Sequence, residues 1–177
     1  VFFLWAPLHW DDMASHFQLF EDRYGRPLYQ VGAFMPVYET TASLPGVEDP
    51  DVRHLRNLEH RLEFADGSRM MRAATLLMSS LDGVEQYEIT LERIFTFRMK
   101  GIGYMHPEWG HGAWKGESAM MSERWRLDDV DETDLFNQHV QHLVRARMGD
   151  REGVGVLEQI ILGPHDPSGF RDLLDPG

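Results

Sequence analysis

The chain has 177 residues, 42% of them hydrophobic and 26% charged, proportions that support a single domain with a buried core. A formal net charge of −12 excludes the basic surface that nucleic acid or an anionic membrane face would need. With no Cys there is no disulfide and no thiolate chemistry, and ten Met beside no Cys fit a cytoplasmic protein.

The opening Val1–Trp10 is apolar but lacks a basic leader and a cleavage pattern, so it reads as a buried strand. A domain rarely begins so abruptly, which predicts that residues 1–177 are the C-terminal part of a longer protein. Phe17–Phe20 and Leu28–Met35 flank the turn residues Tyr24-Gly25 and Pro27, the pattern of a hairpin. Thr40–Asp51 reads as a loop. His54–Phe64 alternates, with His54, Arg56, Leu58, His60, Leu62 and Phe64 on one face. Asp66-Gly67 leads into Arg69–Met78, and Asp82-Gly83 into Glu85–Met99; Asp-Gly between alternating runs signals a hairpin. In Glu85–Met99 the residues Tyr87, Ile89, Leu91, Phe95, Phe97 and Met99 share a face that Arg93 interrupts. Ser118–Leu127 is predicted as a further strand, and Asp128–Asp134 as an acidic loop. His139–Met148 and Gly153–Leu162 flank Gly149-Asp150-Arg151-Glu152 as a last hairpin. Asp134–Arg147 and Arg53–Leu62 could also be drawn as helices, but the flanking turns favour strands. The tail Gly163–Gly177 reads as loop. No stretch is apolar for long enough to span a bilayer. About eight antiparallel strands at this spacing predict an all-β fold, a closed barrel or a sandwich.

The densest chemistry lies in Gly101–Glu117, GIGYMHPEWGHGAWKGE, where His106, Glu108 and His111 sit among Tyr104, Trp109 and Trp114. Aromatic walls with few polar groups suit a small-molecule pocket. The same three polar residues could ligate a metal, or could simply bond the backbone of a turn; Pro107 and Gly110 rule out the helical zinc motif. A second cluster is His9, Asp11, Asp12 and His16 in HWDDMASH. His9-x-Asp11 with a distant His is the pattern of a non-haem iron triad. The alternatives are turn capping and proton transfer. A third candidate is Glu158, which shares a strand face with Val154, Val156, Ile160 and Leu162. If that face is interior, burial raises the acid or demands a partner such as Arg93, Arg145 or Arg147. His54, His60, His139 and His142 read as surface or hydrogen-bonded strand residues. Trp5 and Trp125, with Trp109 and Trp114, would suit an apolar ligand. Phosphate-loop, dinucleotide and serine-nucleophile motifs are absent.

Three blocks, FLWAPLHWDD…SHFQLFEDRYGRPLYQVGA, YMHPEWGHGAWKGE and HVQHLVRARMGDREGVGVLEQIILGPHDPSGF, resemble the C-terminal part of a bacterial family related to the AttH-like and carotenoid 1,2-hydratase (hydroxyneurosporene synthase) superfamily. The resemblance implies a lipocalin-like barrel, often one of two in tandem, acting on terpenoid or polyketide-like substrates without an organic cofactor. Residues in matching blocks are His9, Asp11, Asp12, His106, Glu108, Trp109, His111 and Glu158. The longer relatives carry an upstream Asp-His-Ser-Trp-Gly motif that is missing here, so a partner chain or N-terminal half could complete the site. The reading is therefore an antiparallel lipocalin-like barrel that binds an apolar isoprenoid, steroid-like or aromatic molecule. Cofactor-independent hydration, isomerisation or cyclisation would use His106, Glu108, His111 or Glu158 for acid–base chemistry. A non-catalytic binding module and a metal-dependent oxygenase using His9 and Asp11 are the alternatives. A homodimer, or association with an N-terminal half, would cover exposed sheet edges.

Overall fold

The computed structural model describes residues 1–40, 49, 51–99, 106 and 108–175. The fold is all-β. Eight antiparallel strands run in chain order: β1 (Phe2–Trp10), β2 (Met13–Glu21), β3 (Pro27–Pro36), β4 (Arg53–Phe64), β5 (Met71–Ser80), β6 (Gln86–Arg98), β7 (His139–Met148) and β8 (Arg151–Ile161). Each strand pairs with the next, and β8 pairs back on β1, closing a lipocalin-like barrel. No helix of the described residues is long and apolar enough to cross a membrane.

Period-two alternation decides which residues fill the barrel. On β1 the inward set is Phe2, Leu4, Ala6, Leu8 and Trp10, and on β2 it is Met13, Ser15, Phe17 and Leu19, all buried. Ala74, Leu76, Met78, Ile89, Leu91, Val144, Ala146 and Leu157 complete the core from β5 to β8. The β1–β8 seam is tight because Gly153 and Gly155 face inward there. A Cβ on Gly155 would lie 2.2 Å from the Pro7 carbonyl oxygen, a position only glycine can occupy. At mid-barrel, where Leu4, Phe17, Leu58 and Leu157 meet, the residual space is about 10 Å³. That is room for one water at most. The apolar hollow expected inside the barrel is filled at this level by interdigitating side chains.

The C-terminal segment folds across one barrel end. Arg69, fully buried, donates from Nε to the Asp175 carbonyl (2.6 Å), from Nη1 to that of Gly163 (2.9 Å) and from Nη2 to that of Asp172 (3.0 Å). Its guanidinium carbon also stands 4.3 Å from the Phe170 ring centroid. One residue thus replaces water for three loop carbonyls and holds residues 163–175 against the barrel.

Four expectations change. The register shift between Arg56 and Glu59 breaks the alternation of β4, so His54 and Arg56 are exposed while Leu55 and Leu58 are buried, and the row His54 to Phe64 is not one face. Ser118–Leu127 forms no strand: β6 pairs directly with β7, and closure leaves no free edge for a ninth. A register shift between Arg93 and Phe95 reverses the alternation of β6, so Phe95 and Phe97 point to solvent although Tyr87, Ile89 and Leu91 point inward. The inward residues of β8 are Gly153, Gly155, Leu157, Gln159 and Ile161, so the face carrying Val154, Val156, Glu158 and Ile160 is the outer one.

Candidate functional site

The residues singled out in the sequence fall in separate places. His9, Asp11 and Asp12 are exposed at the β1–β2 turn, where Asp12 pairs with Arg151. His16 accepts a bond from Trp5 Nε1 (3.3 Å). Among the described residues no group of three His, Asp or Glu side chains could hold a metal ion. His106, Glu108, His111, Trp109, Trp114 and Trp125 lie on the connection from β6 to β7, beyond the opposite barrel end. His106 Nδ1 accepts from the backbone N–H groups of Glu108 (3.1 Å) and Trp109 (2.7 Å), closing a local turn. Its Nε2 meets Glu123, which also accepts from Trp125 Nε1. Glu108, His111 and Trp114 are exposed, and Tyr104 lies outside the described residues.

Glu158 stands opposite Trp5 on the outer wall, buried there and bonded to His139 Nε2 (2.9 Å) and Gln141 Nε2 (2.8 Å). Burial pushes its pKa up, but the bonds from His139 and Gln141 outweigh it and hold the carboxyl below its ordinary value. It is therefore not the raised acid that burial in an apolar cavity would make. The arginines expected as its partners are engaged elsewhere: Arg145 with Glu92 and Arg147 with Glu152, while Arg93 belongs to the inward row of β6.

A different site emerges where β3 and β4 separate. Their ladder holds only three pairs, Gly32 with Leu55, Ala33 with His54 and Phe34 with Arg53. Beyond Leu55 the β4–β5 register slips by one residue between Arg56 and Glu59, and Asn57 adopts φ 54°, a left-handed conformation that asparagine tolerates better than most residues. The bulge turns β4 away from β3. Gln30 then spans the gap with its side chain, its Oε1 accepting from Leu58 N–H at 3.0 Å. The seam opens into a cleft of about 540 Å³. Leu58, Pro27 and Pro167 give it apolar walls, and Gln30, Asn57, Glu59 and His60 supply polar groups. Gly25 takes φ 76° at the β2–β3 turn, and Pro167 packs so closely on it that a Cβ would meet the proline ring at 2.6 Å.

At the base of this cleft Glu21 Oε2 takes two bonds, from His60 Nε2 at 3.1 Å and His165 Nε2 at 3.0 Å. Phe2 stacks on both imidazoles, with centroids 5.0 and 4.0 Å away. Burial alone would raise the pKa of Glu21; hydrogen bonds from His165 and His60, with their charges, reverse this and bring it to about 2. The carboxylate is an acceptor only, so the proton on each Nε2 is fixed. His165 Nδ1 is satisfied by Ser168 Oγ (2.8 Å). The Nδ1 of His60 is buried with no partner among the described residues.

A second buried imidazole, His142, sits inside the same barrel end in a completed network. Its Nδ1 meets Thr96 Oγ1 at 2.9 Å and its Nε2 meets Gln159 Oε1 at 3.0 Å. Gln159 also accepts from Met71 N–H (2.8 Å) and donates to the Arg69 carbonyl (2.7 Å). Desolvation is the main cause that lowers the His142 pKa to about 4; Arg93 and Arg98 add to it.

Glu21, His60, His165, Gln30 and Asn57 were not recognisable as a site from the sequence. The usable signals were local and faint: His60 follows Leu58 and precedes Leu62 in one alternating row, and Glu21 ends the inward row Phe17, Leu19. Nothing local says that the two rows meet.

Fold and site together define a closed eight-stranded barrel with a lateral cleft over a carboxylate-held imidazole. The chain belongs to a family of unknown function (DUF8625), whose model matches residues 1–171. No curated protein and no solved structure matches it.

Proposed function

We propose that this barrel binds a small molecule in the cleft at the β3–β4 seam. The observation that carries the reading is the coincidence of a cleft of about 540 Å³ with the Glu21–His60 pair at its base. That volume falls in the range of small-molecule sites. Its lining, with Pro27, Leu58 and Pro167 beside Glu21, Gln30, Asn57, Glu59 and His60, suits an amphipathic ligand with a compact apolar body, such as an isoprenoid or aromatic ring, and a polar end. The filled middle of the barrel favours the seam over the barrel centre as the binding place.

A second reading is cofactor-independent acid–base conversion of that ligand, as the resemblance to the hydratase superfamily suggests. It is favoured by the way Glu21 holds one ring nitrogen of His60 and leaves the other for a substrate proton. Screening a fragment library against the 15N-labelled chain by NMR tests the binding reading. Hits are expected to shift the amides of Gln30, Asn57 and Leu58. Hits that shift only the outer wall around Trp5 and Glu158, or the β1–β2 turn at His9, would reject it.

A further inference from the structure

We infer that the cleft selects an uncharged ligand carrying a hydrogen-bond donor, a hydroxyl or an N–H, which it presents to His60 Nδ1. The inference rests on the cleft reading and adds the chemical class of the ligand. Three independent observations support it.

The first is the orphaned atom. The His60 side chain is only 10% exposed and lines the cleft, yet Nδ1 has no hydrogen-bond partner among the described residues. Native structures rarely bury a polar atom without a partner, and an exception calls for an explanation; beside a cleft, a bound molecule supplies one. The neighbouring clusters sharpen the point, because His142 and His165 have both ring nitrogens engaged.

The second is the tautomer. Glu21 is an ionised carboxylate and accepts from His60 Nε2, so whenever the ring carries a single proton that proton is on Nε2. Nδ1 then carries a lone pair, and its complement is a donor. The stacking of Phe2 on the ring, and the second bond that Glu21 takes from His165, resist the ring flip that would exchange the two nitrogens.

The third is charge. The ionisable residues that line the cleft are Glu21, Glu59 and His60, with no Lys or Arg among them. The net charge of the chain is −12. A carboxylate or phosphate ligand would meet two acidic side chains and no fixed cation, whereas a neutral alcohol, phenol or amide would meet no such repulsion.

A matched set of probes tests this on the full chain: 4-ethylphenol, its methyl ether 4-ethylanisole, and 4-ethylbenzoate. Each is titrated by NMR, following the backbone amides of Asn57 and Leu58 and the ring nitrogens of His60. The phenol is expected to bind about tenfold or more tighter than the ether, because the ether leaves Nδ1 unsatisfied. It is also expected to move the Nδ1 resonance, which the ether leaves in place, and the benzoate is expected to bind weakest. In His60→Phe, which keeps an aromatic ring against Phe2, the preference for phenol over ether should vanish while the cleft amides still respond. Should that variant fail to fold, the Nδ1 resonance of the unaltered protein gives the same answer. Equal affinity of phenol and ether, with both shifting Asn57 and Leu58, would overturn the inference and leave the cleft reading standing; a trapped water on Nδ1 would give that result. Tightest binding of the benzoate would also overturn it. No cleft response to any probe would overturn the inference and the cleft reading together.

Discussion

Two imidazole clusters occupy the same end of this barrel, and they differ in one atom. Around His142 every polar group has a partner: Thr96, Gln159, the Met71 N–H and the Arg69 carbonyl form a closed set. Around His60 the set is open, because Glu21 holds Nε2 and no described residue holds Nδ1. The closed cluster lies among packed side chains and knits β5, β6, β7 and β8. The open one lies beside a cleft, where β3 and β4 have parted. The contrast separates structure from function better than burial alone does. Both rings are secluded, but of the two only His60 has a ring nitrogen without a partner among the described residues and belongs to the lining of a cavity large enough for a ligand.

The largest expected effect comes from breaking the closed set. Gln159→Leu removes a partner from His142, from Met71 N–H and from the Arg69 carbonyl at once. Leaving buried polar groups unpaired costs about 1–3 kcal/mol each, so a loss on the order of 4 kcal/mol is expected. Urea unfolding checks it: the midpoint should fall with the slope unchanged.

Next comes the pH dependence of the same cluster. The folded pKa of His142, about 4, lies below its ordinary value of 6.5. The unfolded chain therefore takes up the proton first, and stability is full above pH 6.5 and declines as the pH falls towards 4. A shift of this size corresponds to roughly 3 kcal/mol. His142→Gln should flatten the stability profile across that window, as read by thermal unfolding at several pH values.

The open cluster should respond less and in a lower window. Glu21 has a folded pKa of about 2 against an ordinary value of 4.5. Its contribution is present above pH 4.5 and disappears as the pH falls through 2. Glu21→Gln should cost about 2 kcal/mol at neutral pH, less than the full shift implies because the cleft admits solvent, and the difference from the unaltered protein should close towards pH 2. Denaturation curves at pH 7 and pH 3 measure it.

The smallest stability effect belongs to His60→Phe. It deletes the orphaned atom and keeps a ring against Phe2, while Glu21 retains His165. A cost of about 1 kcal/mol is expected in calorimetry, together with loss of ligand discrimination. That pairing of a small structural effect with a large binding effect is the opposite of what Gln159→Leu should show.

Much of the barrel was legible in the sequence. Asp66-Gly67, Asp82-Gly83 and Gly149-Asp150 marked three hairpins, and alternation between them placed the strands because a half-buried strand has period two. Ser118–Leu127 alternates as convincingly, but a strand also needs a neighbour, and a closed barrel offers none. The faces of β6 and β8 were misread for two reasons. A bulge such as that at Arg93–Phe95 changes parity without a reliable local mark, and β8 carries apolar residues on both sides. For Glu158 only the packing of Gly153 and Gly155 against β1 shows which side is inward. The candidate site was hidden for a deeper reason. His60 and Glu21 are far apart in the chain and His165 is farther still, and the seam that exposes them depends on Gln30 reaching Leu58 across a gap in the ladder. His106 and Glu108 were conspicuous because they are close in sequence, and such closeness serves a turn as readily as a pocket.

The central claim is that the ligand site is the β3–β4 seam and not the barrel centre. Crystals of the protein soaked with 4-ethylphenol test it most directly. The account predicts density for the ring between Gln30 and Pro167, with the hydroxyl within hydrogen-bond distance of His60 Nδ1. Density inside the barrel among Leu4, Phe17 and Leu157, or on the outer wall beside Trp5 and Glu158 with the seam empty, would contradict it.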